Sequence, residues 1–493
     1  MQALLILALD IGTSSVRAAL YDAGGNVLPE TAVKHERTLE ATGDGAAEID
    51  ADTAVKQVIA AVDEVVDKAK GIDGVITHAA ASAFWHSLMG VDTEGRPTTK
   101  VFGWADTRSR EYVVKLRTAF AEDEIHNRTG ARFHPSFWPA KLMWLRKEHP
   151  AVFKRTTKWI SFSDYVGMKL FDRGPAATSI SMASATGIFD TRKCDWDGPL
   201  LKRLGIARTN LPGLAAPDES FVLNNRYRRR WPMIAGTRFH PAIGDGAANN
   251  IGAGCVKKTK AALMVGTSGA MRVAFKGEPP ANIPPGLWCY RIDRERVIIG
   301  GALSDGGGLY QWLKDNLRLD ANANVEALIA QRPPDGHGLV FLPFLAGERS
   351  TGYHEFATGG ILGLKTSTDT IDIVQSALES VAYRFADIFD QLKSFAGIRE
   401  ITASGGALRG SPVWAQIIAD VLRRELSLPD TYEASSRGAV LLVLETVGRI
   451  DDIENVNVAP KMSFSPDTEK RNAYRSARQR HQKFYDLILK SNQ

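Results

Sequence analysis

Cysteine is scarce. Three occur in 493 residues, Cys194, Cys255 and Cys289, far apart and with no C-x-x-C among them. That excludes a disulfide framework and a zinc ribbon. It suits a reducing compartment, so a cytoplasmic location is expected. No apolar stretch reaches the ~18–20 residues that a membrane span needs. The N-terminal run Ala3 to Leu9 is short, lacks a cationic start and ends on Asp10, so it reads as a buried strand rather than a signal peptide. Charge of one sign is missing too: 61 Lys+Arg stand against 56 Asp+Glu, a formal net charge of +5. Nucleic acid or an anionic membrane as partner would call for a clustered basic stripe. The densest run, Arg226-Tyr227-Arg228-Arg229-Arg230, is short and alone, which fits a solvated face or an interdomain contact. Neither G-x-x-x-x-G-K-[ST] nor G-x-G-x-x-G occurs, which argues against the two common nucleotide-binding loops.

What is present begins with an internal echo. Residues 7–22 read LALDIGTSSVRAALYD and residues 262–276 read ALMVGTSGAMRVAFK. Each is an apolar strand, then Gly-Thr-Ser, then a second strand-like run. The landmarks Gly12 and Gly266 stand about half the chain apart, so a duplicated architecture of two α/β domains is expected, divided near 243 into 1–243 and 244–493. Val16 to Tyr21 continue as strand rather than helix, and Gly24-Gly25-Asn26 marks a turn, so each Gly-Thr-Ser is read as a hairpin tip. Further strands are expected at 74–82, 297–303, 338–345 and 400–404, with helices near 51–69, 108–121, 369–394, 411–424 and 436–448. Four of the ten tryptophans, Trp85, Trp104, Trp138 and Trp144, crowd into one region.

Several positions can carry chemistry. Asp10 ends the first strand beside Gly12-Thr13-Ser14. The amides and hydroxyls of such a tip can hold phosphate oxygens, and the carboxylate can hold Mg²⁺; equally, Asp10 can cap a turn. Gly266-Thr267-Ser268-Gly269 repeats the loop without the aspartate, and two facing tips can grip one triphosphate. Asp245, in Gly244-Asp245-Gly246-Ala247-Ala248-Asn249-Asn250, is either the N-cap of a helix or a base for an attacking hydroxyl. The glycine clusters 404–407 and 306–308 are either tight turns or close approaches for a base and ribose. Phe84-Trp85-His86 and Trp104-Ala105-Asp106-Thr107-Arg108 mix rings with hydrogen-bonding groups, which suits a polyhydroxylated ligand or a satisfied core. Arg108, Arg132 or Lys141 can meet a carboxylate, and His134 is a weaker polar candidate.

Taken together, LALDIGTSSVRAALYD, WADTR (104–108), GDGAANNIG (244–252), VGTSGA (265–270), FLAGER (344–349), SGGAL (404–408) and EASSRGA (433–439) resemble the FGGY carbohydrate kinases of the actin/Hsp70/sugar-kinase ATPase superfamily. Within that family the passages FWHSLMGVD (84–92), NRTGARFHPSFWPAKLMWL (127–145) and GGALSDGGGLYQW (300–312) look most like gluconate kinases. The resemblance implies an α/β chain of two actin-like (ribonuclease H-like) domains with ATP in the cleft between them. It implies that Asp10 helps hold Mg²⁺, with Asp245 close by as a second carboxylate and general base. Gly12, Thr13 and Ser14 would approach the γ-phosphate, with Gly266 and Thr267 at the second loop. Gly405, Gly406 and Arg409 would border the adenosine, with Gly307 and Gln311 on the other side. His86, Trp104, Asp106 and Arg108 would contact the sugar. The implied activity is ATP-dependent phosphorylation of a sugar acid, D-gluconate first. A kinase for a neutral sugar or polyol is the alternative, and an actin- or Hsp70-like ATPase a remote one. The partners expected are a small sugar and ATP, with neither nucleic acid nor membrane, and a homodimer is left open.

Overall fold

The computed structural model describes residues 3–37, 40–172, 177–319, 324–430 and 433–490. Its frame is two twisted sheets. The first contains β1 (Leu4–Ile11), β2 (Ser15–Tyr21), β3 (Val27–Glu36), β4 (Val75–Ala83), β5 (Arg238–Phe239) and the short β6 (Ile243–Gly244). Their order is β5-β4-β1-β2-β3, with β6 also pairing with β4. The second contains β7 (Lys260–Val265), β8 (Gly269–Lys276), β9 (Trp288–Arg291), β10 (Arg296–Leu303), β11 (Glu400–Ser404), β12 (Leu426–Pro429) and β13 (Pro460–Phe464). Their order is β9-β10-β8-β7-β11-β12-β13.

The echo in the sequence is an echo in topology. From β3 inward, the first sheet runs antiparallel, antiparallel, parallel, parallel. From β10 inward, the second repeats that succession through β8, β7, β11 and β12. In both, the Gly-Thr-Ser tip joins the first two antiparallel strands, as read from the strand-compatible residues that follow it. β1 is apolar along its length until Asp10 because both its faces are covered.

Between β4 and β5 lies an aromatic-rich insertion with its own core, including Phe102, Phe133, Trp138, Trp159 and Trp196. Expected helices at 51–69, 369–394 and 411–424 are present as α1 (Ala51–Lys68), α4 (Thr370–Leu392) and α6 (Pro412–Leu422), once α2 (Asp245–Gly252) and α3 (Gly307–Asn316) are numbered before them. α1 starts where Asp50 accepts a bond from the Thr53 amide, and α4 starts on an Asp369/Asp372 capping box. α5 (Gly406–Gly410) follows β11 and α7 (Ala434–Thr446) comes late in the chain.

α7 departs from expectation. It belongs by sequence to the second half, yet Val440, Leu441 and Leu444 are buried in the core of the first sheet, and it packs on β1 and β4. It also crosses α2 at very close range. A Cβ on Gly438 would lie 1.8 Å from the Ala248 carbonyl oxygen, and one on Gly252 would lie 1.9 Å from that of Ala434. Only glycine at both positions permits that approach.

Candidate active site

The cleft is a cavity of about 370 Å³ lined by residues of both sheets, among them Asp10, Asp245, Arg272, Gly405, Gly406 and Arg409. Register explains how two distant aspartates meet there. Asp10 pairs with Ser82 across β1 and β4, and Ser82 pairs with Ile243 across β4 and β6. Asp245 follows two residues later at the first turn of α2.

Asp10 is buried and anchored from two sides. Ser82 Oγ donates to its carboxylate at 2.6 Å and Arg17 at 3.3 Å; Arg17 also reaches Glu433 at 3.2 Å. Asp245 accepts from the Gly246 amide at 2.7 Å. Gly244 holds the N-cap position instead, so Asp245 is the first helical residue and not the cap. Burial raises the Asp245 carboxyl to about 6, against the pull of Arg272 and with a smaller upward push from the charge of Asp10. Two carboxylates in one cavity form a donor set suited to a divalent cation that also binds phosphate oxygens.

The hairpin tips close as expected. The Gly12 amide donates to the Ser15 carbonyl at 2.9 Å and the Gly266 amide to that of Ser268 at 3.0 Å. Thr13 is half-buried and Ser14 exposed. The start of α3 sits directly on the second tip, with the Gly307 amide on the Gly266 carbonyl at 2.7 Å and the Gly308 amide on that of Thr267 at 2.9 Å. Gly405 has φ of +104° and leaves 2.1 Å between its would-be Cβ and the Val265 carbonyl oxygen, so α5 begins against the end of β7. Gly406 and Arg409 are exposed at that start. Gln311 is exposed on α3 and donates to Asp315 at 2.7 Å.

On the other side of Asp245 stands an aromatic wall. Trp85 meets Trp288 and Tyr290 edge-on, at 5.8 and 5.3 Å between centroids, and His86 packs against Phe137 at 5.0 Å. Nδ1 of the half-buried His86 lies 2.7 Å from the Ala185 carbonyl, an acceptor only, so Nδ1 carries the proton and Nε2 is free to accept. Burial drives its pKa down to about 3, so the ring is neutral. Trp104 is capped by the Arg349 guanidinium, 4.4 Å above the ring.

Not every predicted sugar residue keeps free hydrogen-bonding capacity. Arg108 binds Asp106 and Glu48, each at 2.6 Å, and its guanidinium lies over Phe102 and Trp144. Asp106 is buried and receives the Ala47 amide as well. These two hold the wall behind Trp104. Neither Arg108, Arg132 nor Lys141 is placed as a free cation. Arg132 pairs with Asp123 at 2.8 Å and Glu122 at 3.3 Å, and Lys141 donates to the Pro135 carbonyl. His134 is buried and neutral, 3.0 Å from Ser136 Oγ.

Sequence reasoning missed Ser82, Arg17, Arg272, Tyr290 and Arg349. Arg272 carries a readable signal, a cation in the middle of the apolar strand AMRVAF. Arg349 stands in FLAGER, but nothing in that motif tells which way the side chain turns.

Comparison with known proteins agrees with this geometry. Residues 5–252 match the N-terminal domain, and residues 261–444 the C-terminal domain, of the FGGY family of carbohydrate kinases. The gluconokinase of Bacillus licheniformis is 28% identical over 486 residues, covering 95% of this chain and 93% of that protein. A glycerol kinase of Rhizorhabdus wittichii is 28% identical over 469 residues, covering 90% and 88%. The crystal structure of gluconate kinase from Lactobacillus acidophilus superposes with a TM-score of 0.89 at 25% identity, covering 99% of this chain and 98% of that one. Among the described residues no helix is long and apolar enough to cross a membrane. Both halves of the chain thus carry the same family assignment, and the protein belongs to the FGGY carbohydrate kinases, a family of phosphotransferases.

Proposed function

We propose that the protein transfers the γ-phosphoryl group of ATP to a terminal hydroxyl of a sugar acid, D-gluconate first, giving 6-phosphogluconate and ADP. The observation that carries the reaction is the setting of Asp245: a half-buried carboxyl, raised to about 6, in one cavity with Asp10 and the Gly405-Gly406 turn. A group of that proton affinity is ionised at neutral pH and can still accept the hydroxyl proton as the oxygen attacks. Its main task is alignment, because phosphoryl transfer relies on positioning and charge neutralisation. Likeness to gluconokinases in sequence and in structure favours the sugar acid.

In this reading Gly12, Thr13 and Ser14 face the transferred group from one tip, and Gly266 and Thr267 from the other. Gly405, Gly406 and Arg409 border the adenosine opposite Gly307 and Gln311. His86 Nε2 and the Trp104 ring meet the sugar, with Asp106 and Arg108 fixing the wall behind them. Asp10 and Asp245 would hold Mg²⁺, which neutralises phosphate charge when bound. The division into an N-terminal sugar-binding domain, 1–243, and a C-terminal adenosine-binding domain, 244–493, belongs to the same proposal.

A second reading, a kinase for a neutral sugar or polyol, is favoured by the likeness to glycerol kinase. A panel of gluconate, xylulose, ribulose and glycerol, followed by ADP release, separates the two. If a neutral substrate exceeds gluconate in kcat/KM by about tenfold, roughly 1.4 kcal/mol at the transition state, the sugar-acid reading fails.

A further inference from the structure

Two arginines beside Asp245, Arg272 buried and Arg349 half-buried, keep donors without partners. Nε and Nη1 of Arg272 and Nε of Arg349 are enclosed and make no hydrogen bond among the described residues. The hydroxyl of Tyr290 is likewise enclosed and unpartnered. Both guanidinium groups act on that hydroxyl, on each other and on Asp245, so the four groups share one neighbourhood.

The fold brings them together through β10. Arg272 on β8 faces Gly300 of β10, which faces Trp288 of β9. Paired positions on neighbouring antiparallel strands project to one side, and Tyr290, two residues after Trp288, projects there too. Gly300 leaves room for the arginine to lie flat, since a Cβ there would come 2.9 Å from Arg272 Cγ. The FLAGER loop is stitched to the end of the same strand. The Ser350 amide donates to the Ala302 carbonyl at 3.0 Å, the Ala302 amide to Ser350 Oγ at 3.0 Å, and Arg349 Nη2 to the Leu303 carbonyl at 2.8 Å. One nitrogen of Arg349 is therefore fixed and Nε is left over.

A buried cation without a counter-charge is costly. Burial moves both arginines down to about 10. The acids near them do not compensate. No oxygen of Asp245 lies within ion-pair distance of Arg272 among the described residues, and Asp305 accepts from the Ala346 amide at 3.3 Å instead. The deficit is one of anionic oxygen beside Asp245, where Arg272 lines the cleft cavity and Arg349 lies over Trp104.

We infer that Arg272, Arg349 and Tyr290 form a subsite for the carboxylate of an acidic sugar substrate. The inference rests on the sugar-acid reading above and gives its selectivity a physical origin. A guanidinium edge presents parallel N–H donors that match a carboxylate, and a phenol adds a third donor. A neutral polyol in the same place offers a single hydroxyl acceptor and no charge, leaving the guanidinium groups without a counter-ion and part of the fork unmet. The three residues are specificity determinants. The proton transfer itself stays with Asp245.

The test compares kcat/KM for D-gluconate with that for D-glucitol, its neutral counterpart reduced at C1, in the wild-type protein and in Arg349→Met, Arg272→Met and Arg349→Lys. The wild type is expected to favour gluconate by about 1000-fold or more. Each Met variant is expected to lower the gluconate-to-glucitol ratio by roughly 100-fold, mostly through KM, and Arg349→Lys by less, because charge survives while the fork is lost. The ratio cancels any general loss of active protein. Should a Met variant fail to fold, the wild type answers alone: D-gluconate without nucleotide must raise its melting temperature and D-glucitol at equal concentration must not. A wild type that uses gluconate while both Met variants keep its ratio overturns the subsite and leaves the sugar-acid reading standing. If Arg272→Met slows both substrates equally, Arg272 serves the transferred phosphoryl group and leaves the subsite. A wild type that prefers a neutral sugar overturns both.

Discussion

Asp245→Asn should abolish phosphoryl transfer and make the protein more stable. The reason is desolvation: the half-buried carboxyl has lost much of the water that would favour its charge. A carboxyl free in an unfolded chain ionises near 3.8, whereas Asp245 in the fold ionises near 6. Between those values the folded state holds a proton that the unfolded state has lost, so the contribution of this group to stability falls as pH rises through that window. Above about pH 6 the penalty is complete. A shift of this size corresponds to about 3 kcal/mol, and relaxation around the charge reduces it to about 1–3 kcal/mol. Asparagine keeps the shape and never ionises. The variant should therefore match the wild type near pH 4 and exceed it by about 1–3 kcal/mol at pH 8, a few degrees in melting temperature. Thermal melts of both proteins from pH 4 to 8, without nucleotide or Mg²⁺, measure the difference directly, and the other carboxylates cancel in it. A difference that does not change with pH, or a variant less stable than the wild type at pH 8, refutes the buried-charge argument. Near-normal turnover by the variant refutes Asp245 as the base.

Ser82→Ala removes the 2.6 Å bond to the Asp10 carboxylate, and charge-assisted bonds of this kind contribute about 1.5–3 kcal/mol. The expected result is an apparent KM for Mg·ATP raised about tenfold or more with the gluconate KM little changed; initial rates at varied Mg·ATP check it. Gly438→Ala forces a methyl into a gap of 1.8 Å and should lower stability by about 1–3 kcal/mol, read from the urea midpoint. An unchanged midpoint would show that α2 and α7 do not cross so closely. Arg384→Met strips the buried Glu348 of its guanidinium partner, leaving the Tyr485 hydroxyl, the Gly352 amide and His354 at 3.9 Å, and should cost about 3–5 kcal/mol by the same measurement.

Much of the architecture is legible in the sequence because it depends on local pattern. The Gly-Thr-Ser tips, followed by strand-compatible Val16 to Tyr21, announce hairpins, and the repeat at 266 announces the second sheet. EITAS occupies its strand residue for residue, 400–404. What stays hidden depends on neighbours distant in sequence. Arg108 and Arg132 read as free cations until Glu48, Glu122 and Asp123 are brought beside them. Arg272 and Arg349 read no differently, and only the packed structure shows that Nε and Nη1 of the first and Nε of the second meet no acceptor among the described residues. The apolar face of α7 predicts burial and cannot say which sheet receives it, because leucine and valine pack equally well on either.

The crossing of α2 and α7 has a mechanical meaning. Most helix contacts interlock through side chains, so turning one helix over another means lifting teeth out of sockets. At Gly252 and Gly438 there are no teeth. Backbone rests on backbone, and a small rotation disturbs no rotamer and opens no void there. α2 also begins with Asp245. Asp245, the base in the proposed reaction, therefore rides on the arm of a smooth bearing, and a substitution that roughens it should be felt at the far end of the helix, at that carboxylate.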